Sequence, residues 1–94
     1  MPLRRLTEDE IASRLADVPA WTRDGDAIRR EQRFPTFMAG IEFVNRVAEA
    51  AESLDHHPDI TIEYTKVTLR VTTHDSGGLT ENDFKLAKKV EELA

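Results

Sequence analysis

The chain has three histidines, two of them adjacent in LDHHPD at positions 56 and 57 and the third, His74, in TTHDSGG. Imidazole exchanges protons around neutral pH, from a starting pKa of about 6.5. Such groups can give a proton to a leaving group and take one from elsewhere on the same substrate, which contributes roughly 10²- to 10⁴-fold in rate. Carboxylates crowd the same stretches. Asp55 and Asp75 flank the histidines, and Glu52 precedes His56 by four residues, so on a helix those two would be neighbours. Three histidines with flanking acids could instead hold zinc or iron. Against that, no helical HxxxH pair is present, and adjacent side chains in extended chain diverge. The plainest alternative is three structural or solvated residues.

The elements that position these residues can be read from the pattern. Thr7 and Glu10 form a capping box, with Leu6 and Ile11 spaced as a hydrophobic staple, so a helix starts there and Pro19 ends it. Trp21 begins a short strand. Asp24-Gly25-Asp26 reads as a turn, and a second, weakly buried strand runs from Ala27 to Phe34. Thr36 caps a second helix whose stripe is Phe37, Ile41, Val44, Ala48 and Ala51, broadened by Val47 and Leu54. Strands follow at residues 59–64 and 66–73, both alternating in period two. Ser76-Gly77-Gly78 is a turn. Thr80 caps a last helix, with Asp83 in its first turn and Leu86, Ala87, Val90 and Leu93 on its inner face. The order is αββαββα. That order predicts an α+β, two-layer sandwich: a four-stranded antiparallel sheet with three helices on one face, in a single domain over residues 1–94.

The hairpin register brings the histidines together. Opposed residues share a face. Matching Ile60, Ile62 and Tyr64 to Val71, Leu69 and Val67 leaves a Thr65-Lys66 turn. Continued outward, it sets His57 opposite His74, with Cβ atoms about 5 Å apart. His56 lies beside them at the end of the second helix.

Composition narrows the function. A net charge of −5 argues against nucleic acid as main partner, and Arg23, Arg29, Arg30 and Arg33 read as a solvated strand face among acids. No apolar run approaches the roughly 20 residues of a membrane span, and the N-terminus lacks a signal-peptide core. With no cysteine, disulfides, thiol catalysis and thiolate zinc are excluded, which fits the cytoplasm. At 94 residues a monomer has a small core, so an oligomer is expected.

The residues at these spacings resemble a known family. Glu52, three residues, His56-His57-Pro58, five residues, Tyr64, nine residues, His74, eight residues, Asp83, together with THDSGGLTENDF, is similar to the pterin-4a-carbinolamine dehydratases. The resemblance implies removal of water from a 4a-hydroxytetrahydropterin to give a quinonoid dihydropterin, in tetrahydrobiopterin recycling, by a hydro-lyase needing no metal and no cofactor. It implies a catalytic set of His56, His57 and His74, with His56 and His74 as proton donor and acceptor and His57 orienting the pterin. Glu52 would orient His56 or tune its charge. Asp55, Thr73, Asp75 and Ser76 are implied as substrate contacts, and Asp83 belongs to the motif with a structural or site role. Homodimers or homotetramers are implied as well. Animal members also serve as dimerisation cofactors of a transcription factor, so a non-enzymatic binding module of the same fold is the alternative reading.

Overall fold

The first two helices start where the sequence supplies a side-chain cap, Thr7 and Thr36. The Thr7 hydroxyl accepts the Glu10 N–H (3.2 Å) and the Glu10 carboxylate accepts the Thr7 N–H (2.9 Å), which opens α1 (Glu8–Ala16). Leu6 and Ile11, on either side of the cap, are both buried. This computed structural model describes residues 3–93. After α1 come β1 (Thr22–Asp24), β2 (Ala27–Arg33), α2 (Phe37–Leu54), β3 (Asp59–Glu63), β4 (Lys66–Val71), a 3-10 turn (His74–Ser76) and α3 (Glu81–Leu93). The fold is α+β in the expected order, and the four antiparallel strands lie in the order β1-β2-β4-β3.

One face of the sheet carries the core. Ile28 on β2 and Val67, Leu69 and Val71 on β4 are buried with Trp21, Phe43, Val47, Leu86 and Val90. The alternate residues Arg29, Thr68 and Arg70 are partly exposed on the opposite face. No helix among the described residues is long and apolar enough to cross a membrane.

Three expectations need correction. The β3–β4 register is displaced by two residues: Ile62 pairs with Val67 and Ile60 with Leu69. The turn is Tyr64-Thr65, not Thr65-Lys66, because Tyr64 adopts the left-handed conformation (φ 53°) and Glu63 and Lys66 close the ladder with an ion pair at 3.3 Å. A two-residue shift preserves which side chains share a face, so the alternation alone does not resolve it. β3 is also an edge strand: all five of its residues are exposed, as is Tyr64.

The second correction concerns α2. Its buried face is Gly40, Phe43, Val47 and Ala51, whereas Phe37 and Ala48 are exposed and Ile41 and Val44 only half-buried. Phe43 wins because its ring packs on Phe34, with centroids 5.1 Å apart. Third, the arginines of the first hairpin do not share one wet face. Arg30 is buried on the helix side, where it donates to Glu91 (2.9 Å) and Gln32 (2.8 Å). Along a strand Arg29 and Arg30 must point opposite ways.

Candidate functional site

The end of α2 aims His56. Asp55 takes a left-handed conformation (φ 49°), its N–H donates to Glu52 O (3.2 Å), and the His56 N–H donates to Ala51 O (3.0 Å). This is a Schellman-type helix ending with aspartate where glycine is usual. It turns the chain sharply and sends His56 inward. There His56 Nε2 lies 2.6 Å from Asp83 Oδ1.

Asp83 is completely buried and is the third residue of α3. Its Oδ2 accepts the Thr80 backbone N–H at 2.9 Å, which is half of a capping box, and the Thr73 hydroxyl at 2.9 Å. The proton directions follow from these partners. An ionised carboxylate only accepts, so Thr73 spends its proton on Asp83. The 2.7 Å contact between the Thr73 and Thr80 hydroxyls must then be donated by Thr80. His56 Nε2 must carry a proton too, which leaves Nδ1 as the only lone pair of the neutral ring. Three donors and a helix N-terminus compensate a carboxylate that would otherwise be costly to bury.

His57 turns the other way. Its Nε2 lies 2.6 Å from Glu52 Oε2, with both side chains largely exposed. Glu52 therefore partners His57, not His56 as the helical spacing predicts. The helix stops at Leu54, so the four-residue rule no longer applies across Asp55. Continuing the observed register also places Thr72, not His74, across from His57. His74 instead begins the 3-10 turn.

The three histidines nonetheless line one shallow cavity of about 280 Å³, with Asp55, Thr72, Thr73 and Asp75. Ser76 is not among the lining residues; its hydroxyl donates to Leu3 O (2.5 Å). With Leu6 N donating to Leu79 O (2.8 Å), that bond ties the N-terminal segment across the loop that carries His74. Size does not single out the site. A groove between α2 and α3 reaches about 520 Å³, but among Arg46, Glu49, Ser53, Lys89 and their neighbours it offers no histidine. Among the described residues no three histidine, aspartate or glutamate side chains meet as a metal-ligand set.

Asp83 and Thr80 are residues whose role in the site the local sequence does not disclose. Both have an ordinary explanation as helix-start residues, and nothing local reveals that the Asp83 carboxylate is buried against an imidazole 27 residues away. The eight-residue gap from His74 to Asp83 was the available signal.

The model of the family described as pterin 4 alpha carbinolamine dehydratase matches residues 4–93. A protein of Thermomicrobium roseum provisionally named pterin-4-alpha-carbinolamine dehydratase is 52% identical, over 98% of this chain and 99% of its own. A crystal structure named transcriptional coactivator/pterin dehydratase from Brucella melitensis superposes with a TM-score of 0.92 at 35% identity, over 97% of this chain and 99% of its own. A pterin dehydratase-like protein identified as a RuBisCO assembly factor in the α-carboxysome shares the fold alone, with a TM-score of 0.67 at 22% identity over 80% of this chain and 89% of its own.

Proposed function

The chain belongs to the pterin-4-alpha-carbinolamine dehydratase family, and from that premise we propose that it dehydrates a 4a-hydroxytetrahydropterin, in tetrahydropterin recycling, by general acid–base catalysis from its histidines. The carrying observation is the buried Asp83–His56 pair at 2.6 Å beside His57 and His74 in one open cavity.

The reaction needs two proton movements. The C4a–O bond breaks as the hydroxyl takes a proton and leaves as water, and a ring nitrogen of the pterin gives one up. Two titratable groups on a common cavity suit that exchange. We assign them to His56 and His74. Asp83 fixes the His56 ring and its protonated nitrogen, as a buried carboxylate does for a catalytic histidine elsewhere. His57, held by Glu52 at the rim, would bind and orient the pterin with Asp55, Thr73 and Asp75. The Ser76 hydroxyl is spent on Leu3, so its contribution would be to hold the His74 turn.

The test is the dehydration rate of a chemically generated 4a-carbinolamine. His56→Ala and His74→Ala are expected to lose roughly 10²-fold or more in kcat while remaining folded. Wild-type rates no faster than the uncatalysed reaction would overturn the reading.

The exposed apolar residues Ile60 and Ile62 of β3, with Tyr64 in the turn after it, support a second, compatible proposal. An unpaired edge strand with an apolar side is a pairing surface, and a second copy of the chain would cover it. Ile62→Lys is expected to lower the sedimenting mass; an unchanged mass would refute that. The same surface could serve a purely non-enzymatic binding module, in which His56→Ala would leave partner binding intact and wild-type protein would show no dehydratase activity.

A further inference from the structure

We propose that the buried Thr80 hydroxyl is a positioning group for the dehydration, acting on His56 through Thr73 and Asp83; this rests on the pterin reading above. Thr80 is completely buried and is not among the residues lining the histidine cavity, so its hydroxyl does not meet the substrate.

The start of α3 does not explain this hydroxyl. Thr80 directly precedes the helix and stands three residues before Asp83, where a threonine hydroxyl would accept the N–H of the third helical residue. Thr7 does so for Glu10 (3.2 Å) and Thr36 for Ala39 (3.1 Å). Thr80 does not. The Asp83 N–H turns to the Thr80 carbonyl at 3.2 Å, and the Thr80 hydroxyl faces the Thr73 hydroxyl at 2.7 Å.

Thr73 joins the two histidines assigned to proton transfer. On one side its hydroxyl donates to Asp83 Oδ2 (2.9 Å), and Asp83 Oδ1 holds His56 Nε2 (2.6 Å). On the other side it anchors His74. Thr73 and Gly78 exchange both backbone hydrogen bonds (3.3 Å each), which closes the turn that begins at His74, and the Ser76 N–H donates to Thr73 O (3.1 Å).

A threonine hydroxyl has one proton, and it rotates to suit its partners. Left alone, the Thr73 proton has a competing direction. His56 Nε2 lies 3.5 Å from the same oxygen and becomes an acceptor in the other tautomer of the ring. A donor aimed at Thr73 from Thr80 occupies one of its lone pairs and polarises its O–H toward Asp83. Hydroxyl, hydroxyl and carboxylate then run in one order. That order keeps the proton of the neutral His56 ring on Nε2 and leaves the Nδ1 lone pair free. Removing the Thr80 hydroxyl leaves the backbone bonds of the helix start in place but lets the ring populate both tautomers.

The experiment measures dehydration of a chemically generated 4a-carbinolamine by wild type, Thr80→Val, Thr80→Ser and Thr80→Ala. Valine keeps the shape of threonine without the hydroxyl; serine keeps the hydroxyl without the methyl. Thr80→Val is expected to lower kcat about tenfold with KM unchanged, and Thr80→Ser to stay within about twofold of wild type. On a Thr73→Val background the same Thr80→Val change should add nothing, because Thr80 acts through Thr73. In nitrogen NMR spectra at a pH where the ring is neutral, the two His56 ring nitrogens, identified by their loss in His56→Ala, should be well separated in wild type and closer together in Thr80→Val. Thermal midpoints report folding, and Thr80→Ala against Thr80→Ser makes the same comparison if Thr80→Val does not fold. An unchanged kcat in Thr80→Val, a Thr80→Ser variant as slow as Thr80→Val, a change in KM alone, additive losses with Thr73→Val, or unmoved ring nitrogens would overturn the positioning role while leaving the dehydratase reading standing. Wild type no faster than the uncatalysed reaction would remove that reading and this role with it.

Discussion

Two neighbouring histidines each have a ring nitrogen 2.6 Å from a carboxylate, and the two pairs differ in everything else. The His56 side chain is 12% exposed and its partner Asp83 is 0% exposed; His57 is 55% exposed and Glu52 76%. Distance alone would rank them equal. Burial separates them. Water cannot replace either partner in the inner pair, and Asp83 is also tied to Thr73 and Thr80, whereas the outer pair competes with solvent at every moment.

The largest expected effect comes from breaking the inner pair. Asp83→Asn keeps the shape but gives the buried position a donor where His56 needs an acceptor. A fall in kcat of roughly 10²- to 10⁴-fold is expected, together with a stability loss of about 1–3 kcal/mol from unsatisfied buried groups. Steady-state kinetics and denaturant unfolding check both. The double variant with His56→Ala should be little slower than either single one, because the two residues act as a unit. Additive losses would mean that Asp83 acts on something other than His56.

A smaller effect sharpens the comparison at the residue that separates the two pairs. Asp55 occupies a left-handed position that glycine takes at less cost. Asp55→Gly is therefore expected to raise stability by about 0.5–1 kcal/mol. If the Asp55 side chain contacts substrate, kcat/KM should fall in the same variant, so that stability and activity move in opposite directions. A variant that is less stable would show that the aspartate side chain holds the helix end.

Breaking the outer pair should do least of the three. Glu52→Gln is expected to change stability by no more than about 0.5 kcal/mol and kcat by no more than about threefold. A loss comparable to that of Asp83→Asn would erase the distinction drawn from burial.

The same contrast explains what the sequence could disclose. Local signals were legible: the Thr7–Glu10 capping box, the Gly25 turn, the αββαββα order and the inner face of α3 at Leu86, Ala87 and Val90. The gathering of the histidines followed from the hairpin topology and tolerates a wrong register, since the ends of a hairpin stay near each other after a two-residue slip. Partner choice did not follow. Glu52 at four residues from His56 obeys the helical rule until the backbone turns left-handed at Asp55, and sequence does not announce an aspartate in that conformation. On α2, Phe37, Ile41 and Val44 keep helical spacing as well as Phe43 and Val47 do, and only the packing of Phe34 and Val67 decides between them. Asp83 looked like an ordinary helix-start acid, because the local pattern explains it without reference to His56.

A last prediction tests the contrast on a half-buried carboxylate at the surface that is well paired but lies away from the site. Glu10 receives hydrogen bonds from Arg4 through both oxygens and from the Thr7 N–H, and these hold its carboxyl down at about 2, with the Arg4 hydrogen bonds as the main cause. Because the folded value lies below the unfolded one, this interaction stabilises the fold above the ordinary glutamate range and loses its effect as pH falls toward about 2. Glu10→Gln should therefore unfold at a slightly lower temperature than wild type at neutral pH, and the two should converge below the ordinary glutamate range. The difference should also shrink in high salt, since the pair lies at the surface, with the Arg4 side chain largely exposed. Thermal melts of both proteins across that range provide the check. A gap that persists at low pH would place the role of Glu10 in packing rather than in its charge, and would leave burial as the only feature that makes a carboxylate in this protein matter.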